Sequence, residues 1–352
     1  MAQKSLGVLL EELAQAGLTA APAEKPLPTA LAPAADNEGS PWYVKALVGV
    51  AAWIAAVLLG IFFGALGVID TGEQMVGWGI GLLVAAIVLK WWQRTSIFWG
   101  QLAFAVILAG QGLFLVGVGM LSESATTVAL VAIGLELLLL VLYPDTLHRM
   151  LSVLAIVGAL TFLVYDQDWP SLIHVLIFVT AAGAVLTWQN EFRLLTSRLQ
   201  PLRAPLGYGF ALALFGLCLV AFSGWYGAVQ WWISTALLAL TLLYLLYQVF
   251  SELALPLIGR AGIWALAAIL VLLIPAYDTP GILAAVLVLL LGRWRSNGLL
   301  LGIAAIFLLF FLSSYYYNLE ITLLNKSYIL MGTGAALLAA WWGLRRVETV
   351  SQ

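Results

Sequence analysis

The sequence predicts an all-α integral membrane protein of about twelve transmembrane helices in up-and-down hairpins, with the N-terminus and C-terminus both cytoplasmic. Three observations carry this. Hydrophobic residues make up 63% of the 352 and charged residues 9%, with a mean hydropathy of +1.05, which leaves too little polar surface to cover a soluble globule. Apolar runs of spanning length recur along most of the chain. Positive residues fall almost entirely on one side of the crossings that those runs imply.

In SLGVLLEELAQAGL, Leu6, Leu9, Leu10 and Leu13 recur at helical spacing and Gly17 supplies a stop, so residues 1–18 read as a short amphipathic helix. Glu11 and Glu12 make its polar face acidic, which suits docking on protein better than lying on anionic lipid. No basic stretch with a short apolar core and cleavage site is visible, so no secretory leader is expected. Residues 19–41 carry Pro22, Pro26, Pro28, Pro33 and Pro41 among alanines and acids and form a semi-extended linker. The polytopic domain follows over 42–343, with a cytoplasmic tail at 344–352.

A helix rising about 1.5 Å per residue needs ~20 apolar residues to cross a core about 30 Å thick. Spans are therefore expected at 46–69, 75–92, 97–121, 125–143, 150–165, 171–188, 206–226, 229–250, 261–277, 280–292, 298–316 and 328–343. The short ones, 150–165 and 280–292, fit tilted partners, half-helices or an arm of a re-entrant hairpin. Crossing at each span puts fourteen of the 15 Lys and Arg residues on the cytoplasmic side and only Lys326 opposite. A span missed or invented mid-chain would scramble that partition. No residue-level repeat marks a duplication, but the long connection 189–205 leaves room for a cytoplasmic surface helix between candidate halves 42–188 and 206–343. The single cysteine, Cys218, lies in an apolar run and reads as inert core.

Polar residues inside the apolar domain are the site candidates. Glu136, in ATTVALVAIGLELLLLVLY, is a carboxylate far from either end of its span, and burying it charged is costly. It is expected to be protonated, paired or open to a wet cavity. Gln101 and Gln111 are its candidate partners, but about 15 Å apart along one helix they cannot both touch it. Gly100, Gly110, Gly112, Gly117 and Gly119 suit that helix to close packing, as Gly60 and Gly64 suit the first span. YDQDWPSLIH places Asp166, Asp168 and His174 together at the outer face, a weak candidate for a divalent cation. In YPDTLHR, Asp145 reads as a helix cap behind Pro144, and His148 as a proton-relay candidate.

The segment SSYYYNLEITLLNKS sits at the outer end of the eleventh span. Tyr315, Tyr316 and Tyr317 fit headgroup depth, where an amphipathic ring buries its body and wets its hydroxyl. Many tryptophans at span ends fit the same reading. Thr322 and Lys326 share a helical face at i, i+4 spacing, and with Glu320 they form either a structural anchor or a binding site.

The stretches PWYVKALVGVAAWIAAVLLGIFF, GQLAFAVILAGQ, YPDTLHRMLS and YYYNLEITLLNKS, in that order, resemble an uncharacterised bacterial family of polytopic membrane proteins defined by a domain of unknown function. The resemblance covers about residues 41 to 345 and is most specific at Tyr315, Tyr316, Thr322, Lys326 and Ser327. It implies a bacterial inner membrane location. It also implies partners encoded nearby: a second multi-spanning protein and a small membrane-anchored protein with a tyrosine motif.

Three function classes are compatible with these features. The leading one is a structural or regulatory subunit of a cell-envelope membrane assembly, which needs interhelical packing, short loops and a docking element. A proton-coupled transporter of a small apolar or lipid-like solute would use Glu136 as its titrating group. A membrane enzyme at the outer face would rely on Asp166, Asp168 and His174. No catalytic residue is assigned and no cofactor is expected. Nucleotide-binding glycine loops, metal-ligand clusters, serine-nucleophile elbows and nucleic-acid-type basic surfaces are absent from the sequence. Besides the bilayer and neighbouring membrane proteins, a small-molecule ligand is left unspecified.

Overall fold

The computed structural model describes residues 70–92, 97–220, 229–256, 258–277 and 279–318 continuously, with isolated positions among 50–67 and 324–339. The helix expected over 1–18, the linker, the tail, most of the spans at 46–69 and 328–343, and Glu320, Thr322 and Lys326 lie outside the described residues. The chain divides into two compact units, Met1–Ile54 and Ala55–Gln352. In the first, Val50, Ala51 and Ile54 are exposed helical residues. The second holds all that follows.

Its continuous elements are all helices: α1 Gly72–Trp92, α2 Ile97–Ser122, α3 Ala125–Leu142, α4 Thr146–Asp166, α5 Leu172–Gln189, α6 Glu191–Leu195, α7 Gln200–Val220, α8 Trp232–Glu252, α9 Arg260–Ala276, α10 Gly281–Trp294 and α11 Gly298–Asn318. Among the described residues, eight helices are long and apolar enough to cross a membrane, and α9 and α10, with 17 and 14 residues, are apolar but shorter. These ten coincide in position with the ten interior spans read from sequence.

Two boundaries differ for identifiable reasons. The span expected at 150–165 is the full helix α4 from Thr146, because Asp145 is its N-cap and accepts the His148 backbone N–H at 3.0 Å. The polar run Thr146–Arg149 is thus the first turn of the helix and not part of the connection. The span expected at 206–226 starts earlier, as α7, Gln200–Val220, and its expected last residues, 221–226, lie outside the described residues. Pro201 lies in its first turn, where a missing N–H costs no hydrogen bond, and Pro205 forfeits one close to the end. The long connection shrinks to the five-residue α6 and its turns.

Hydrogen bonds between helices sort their ends into two rims. On the basic rim, Lys90 meets Asp145, Trp91 donates to the Leu142 carbonyl, and Arg203 pairs with Glu191. There too Arg295 reaches Glu252 and the Gln189 carbonyl, and Tyr208 bonds Asn297. On the other rim, Thr126 bonds Asp166, His174 bonds Ser234, and Thr235 donates to the Ala276 carbonyl. None of these bonds joins one rim to the other. Successive long helices therefore run antiparallel, and the ends of α9 and α10 fall into the same alternation.

Between the rims the packing is apolar. α1 and α2 approach closely enough for their backbones to touch: a Cβ built on Gly79 would stand 2.7 Å from the Phe114 backbone nitrogen, and one on Gly117 would stand 2.8 Å from the Gly72 carbonyl oxygen. Gly72 with Gly79, and Gly110 with Gly117, recur seven residues apart, so each pair faces one neighbour. Of the other glycines singled out in sequence, a Cβ on Gly119 would stand 3.3 Å from the Val128 side chain, whereas one on Gly60, Gly100 or Gly112 would meet nothing within 4 Å. In the larger core, built from α4 onward, α10 is the most enclosed helix, with Ile282, Leu283, Leu287, Val288 and Leu291 fully buried. Large apolar side chains such as Val141, Leu270, Ile274 and Leu309 are exposed, a surface that suits lipid.

Candidate functional site

The strongest concentration of buried polar groups lies where α1, α2, α3 and α4 meet near the basic rim. Glu136 sits six residues before the end of α3, about 9 Å below it. It is 8% exposed, and Gln111 of α2, 6% exposed, donates from Nε2 to its Oε1 at 2.7 Å. Gln101, ten residues earlier on α2, is half-buried and is not a partner of this carboxyl. The i, i+4 pair His148 and Ser152 stands on the adjoining face of α4, each 1% exposed, with Ser152 Oγ 3.3 Å from His148 Nδ1. The Ser152 hydroxyl also lies near the Glu136 carboxyl, without closing a hydrogen bond on Oε2, which is left unpartnered.

Toward the rim, the cluster continues into a set of helix caps. Arg149 Nε donates to the Leu140 carbonyl at 2.9 Å, placing a cation on the C-terminal turn of α3, where the helix dipole favours it. Asp145 accepts Lys90 Nζ at 2.7 Å, and the ammonium lies 5.9 Å from the centre of the fully buried Tyr143 ring. Burial alone would raise the Asp145 carboxyl, but the bonds from Lys90 and the His148 amide, with the charges of Lys90 and His148, hold it below its ordinary value. For Tyr143, burial and then the Asp145 charge both push the phenol upward. His148 packs edge-on to Tyr143 and Phe104.

At the opposite rim, Asp166, Asp168 and His174 are drawn to different partners. Asp166 accepts from Thr126 at 2.5 Å and from Gln167 at 2.9 Å, while Asp168 is exposed with a φ of 53°. His174 is buried, sharing a 2.7 Å hydrogen bond with Ser234 and lying edge-on to Trp231. Among the described residues, no three His, Cys, Asp or Glu side chains are grouped so as to hold a metal ion. Tyr315 and Tyr316 are half-buried in the last turns of α11, where Tyr315 packs on the main core and Tyr316 meets the exposed Tyr317 edge-on. Ser327 is helical and exposed.

The described helices also form apolar grooves on their flanks. One of about 310 Å³ lies between α4 and α7 beside Gly158, Thr161 and Gly216, and another of about 610 Å³ lies beside Gly119, Ala129 and Phe162. Both are lined mainly by apolar side chains, with Thr161 and Tyr165 the polar ones in the first and Glu123 and Ser124 in the second.

A family model described as a domain of unknown function, DUF4401, matches residues 41–347. The chain belongs to that family. No curated protein and no solved structure matches it. The DUF4401 region takes in all the helices α1–α11 and with them the whole Glu136 cluster. Gln111 is one of the two partners the sequence offers for Glu136, whereas Asp145 and His148 are legible there only as a cap and a separate relay candidate, and neither Ser152 nor the Lys90 pairing is marked. The one available signal is the 148/152 spacing ahead of an apolar run.

Proposed function

We propose that the protein is a multi-pass structural or regulatory subunit of a cell-envelope assembly in the bacterial inner membrane, with both termini cytoplasmic. In this reading α9 and α10 cross the bilayer, and spans at 46–69 and 328–343 complete twelve. One observation supports the subunit role most directly: the candidate polar side chains are spent on joining helices. Asp145 holds Lys90, Arg149 caps α3, Asp166 holds Thr126 and His174 holds Ser234. A membrane enzyme would need several such groups free and convergent on one cavity. The partners are neighbouring membrane proteins, met by the N-terminal helix and by the Tyr315, Tyr316, Glu320, Thr322, Lys326 and Ser327 segment at the outer face.

A second reading, a proton-coupled transporter of a small apolar or lipid-like solute, draws support from the unpartnered oxygen of Glu136 and from the apolar character of the grooves. Purification of the tagged protein from its native membrane in a gentle detergent separates the two. Stoichiometric recovery of other membrane proteins is the expected result. A lone protein carrying a bound small molecule would overturn the subunit reading in favour of transport.

A further inference from the structure

Two buried polar atoms of the α1–α4 bundle have no hydrogen-bond partner, Glu136 Oε2 and the Tyr143 hydroxyl. Leaving such a group unsatisfied is costly, so its persistence beside titratable neighbours calls for a use. Gln111 occupies Oε1 of the Glu136 carboxyl, which makes Oε2 the oxygen open to a proton. Ser152 stands between this carboxyl and His148, and a serine hydroxyl with one hydrogen donates to only one of them at a time. His148 lies one helical turn nearer the basic rim, about 6 Å along α4, next to Tyr143.

We propose that Glu136 is an internal proton-binding site loaded from the basic rim through His148 and Ser152. In the loading step the Nδ1–H bond of the His148 imidazolium breaks and its proton bonds to Ser152 Oγ. The O–H bond that the hydroxyl held before breaks in turn, and that proton bonds to Glu136 Oε2, converting carboxylate to carboxylic acid. His148 is left neutral with its remaining proton on Nε2. The ring then turns over, which brings Nε2–H to Ser152 and the bare Nδ1 toward the rim. A hydronium ion of the cytosolic water gives its proton to Nδ1, leaving water and restoring the imidazolium, and the Ser152 hydroxyl rotates back. No electrons change hands. Unloading is the same path reversed.

The surroundings set the charge against which this proton moves. Lys90 comes from α1, Asp145 and Arg149 from the start of α4, and Tyr143 from the end of α3, while α2 carries no acid or base at all. α7, also packed against α4, brings Arg203, Tyr208 and Cys218, of which the first two are held at the rim by Glu191 and Asn297, and α5 brings His174, bonded to Ser234 at the other rim. Since Lys90 and Asp145 neutralise each other, Arg149 is the fixed charge nearest the path in sequence.

Infrared difference spectroscopy on the purified full chain in nanodiscs tests the proposal, with hydronium and deuterium oxide as the probes. Wild type is expected to show a protonated-carboxyl stretch that titrates with bulk pH and shifts in deuterium oxide, and Glu136→Gln is expected to lack it. Ser152→Ala should retain the band but exchange its proton at least about tenfold more slowly, and Ser152→Thr should restore the rate. A wild type with no titrating carboxyl band, or a band that persists unchanged in Glu136→Gln, overturns the site. Wild-type exchange in Ser152→Ala overturns the route. The Ser152 comparison leaves Glu136 in place, so it decides the route even should Glu136→Gln misfold. The outcome is separable from the subunit reading: a lone protein whose Glu136 still titrates would remove the assembly and keep the proton site.

Discussion

At Asp145 one carboxylate caps α4, pairs with Lys90 and sits beside the buried Tyr143 ring. Because its folded form is held below the ordinary carboxylate value, it contributes stability at all pH values above that ordinary value. The contribution disappears as the pH falls through the depressed value, when the folded carboxyl takes up its proton. Asp145→Asn should therefore cost about 1–3 kcal/mol near neutrality, and the gap to wild type should close in acid, as read by thermal unfolding in detergent across pH. A gap independent of pH would show that the cap alone matters. The cap itself is legible in the sequence, since Pro-Asp ahead of an apolar run announces a helix start. Lys90 is not, because 55 residues separate it from Asp145 and nothing in hydropathy sets which helix ends meet. The same holds for Glu136: its burial follows from position, but the serine and histidine beside it depend on the rotation of α4 about its axis.

At the scale of elements, α1 and α2 form the tightest pair, brought together by backbone contact at their glycines. A methyl group at Gly79 would press on the Phe114 backbone nitrogen at 2.7 Å, where no side-chain rotation relieves it. Gly79→Ala is expected to destabilise by about 1–3 kcal/mol, whereas Gly112→Ala, with nothing within 4 Å, should gain up to about 1 kcal/mol from helix propensity. Melting temperatures of the two variants in one detergent decide the matter, and equal values would refute the close approach. Sequence shows that α2 is rich in glycine. It does not separate Gly110 and Gly117, which touch α1, from Gly100 and Gly112, which do not, because an apolar residue on a lipid-facing side looks the same as one on a packed side.

For the whole molecule, the sorting of interhelical hydrogen bonds into two rims is the feature most open to direct test. Cys218 is fully buried, so new thiols can be read against a quiet background. In the twelve-span arrangement, Ser251→Cys and Arg293→Cys should react with a membrane-impermeant maleimide only from the cytoplasm, and Tyr277→Cys only from outside. Labelling of all three from one side would mean that α9 and α10 do not cross. The alternation of basic connections makes the helix order readable from the residues alone, since lysine and arginine record on which side each loop was left. Counting apolar residues places helix ends less well wherever polar residues begin a helix: it starts α4 at 150, four residues after the start that the Asp145 cap marks. The shortest of the ten apolar helices illustrates what composition hides. At 14 residues α10 spans only about 21 Å against a hydrocarbon core about 30 Å thick. None of its residues from Gly281 to Gly292 is exposed, so neighbouring protein and not lipid sets its surroundings. Hydrophobic mismatch, which would tilt or stretch a solitary segment of that size, has nothing to act on here, and bilayer thickness constrains the ring of helices around α10 while leaving α10 itself exempt.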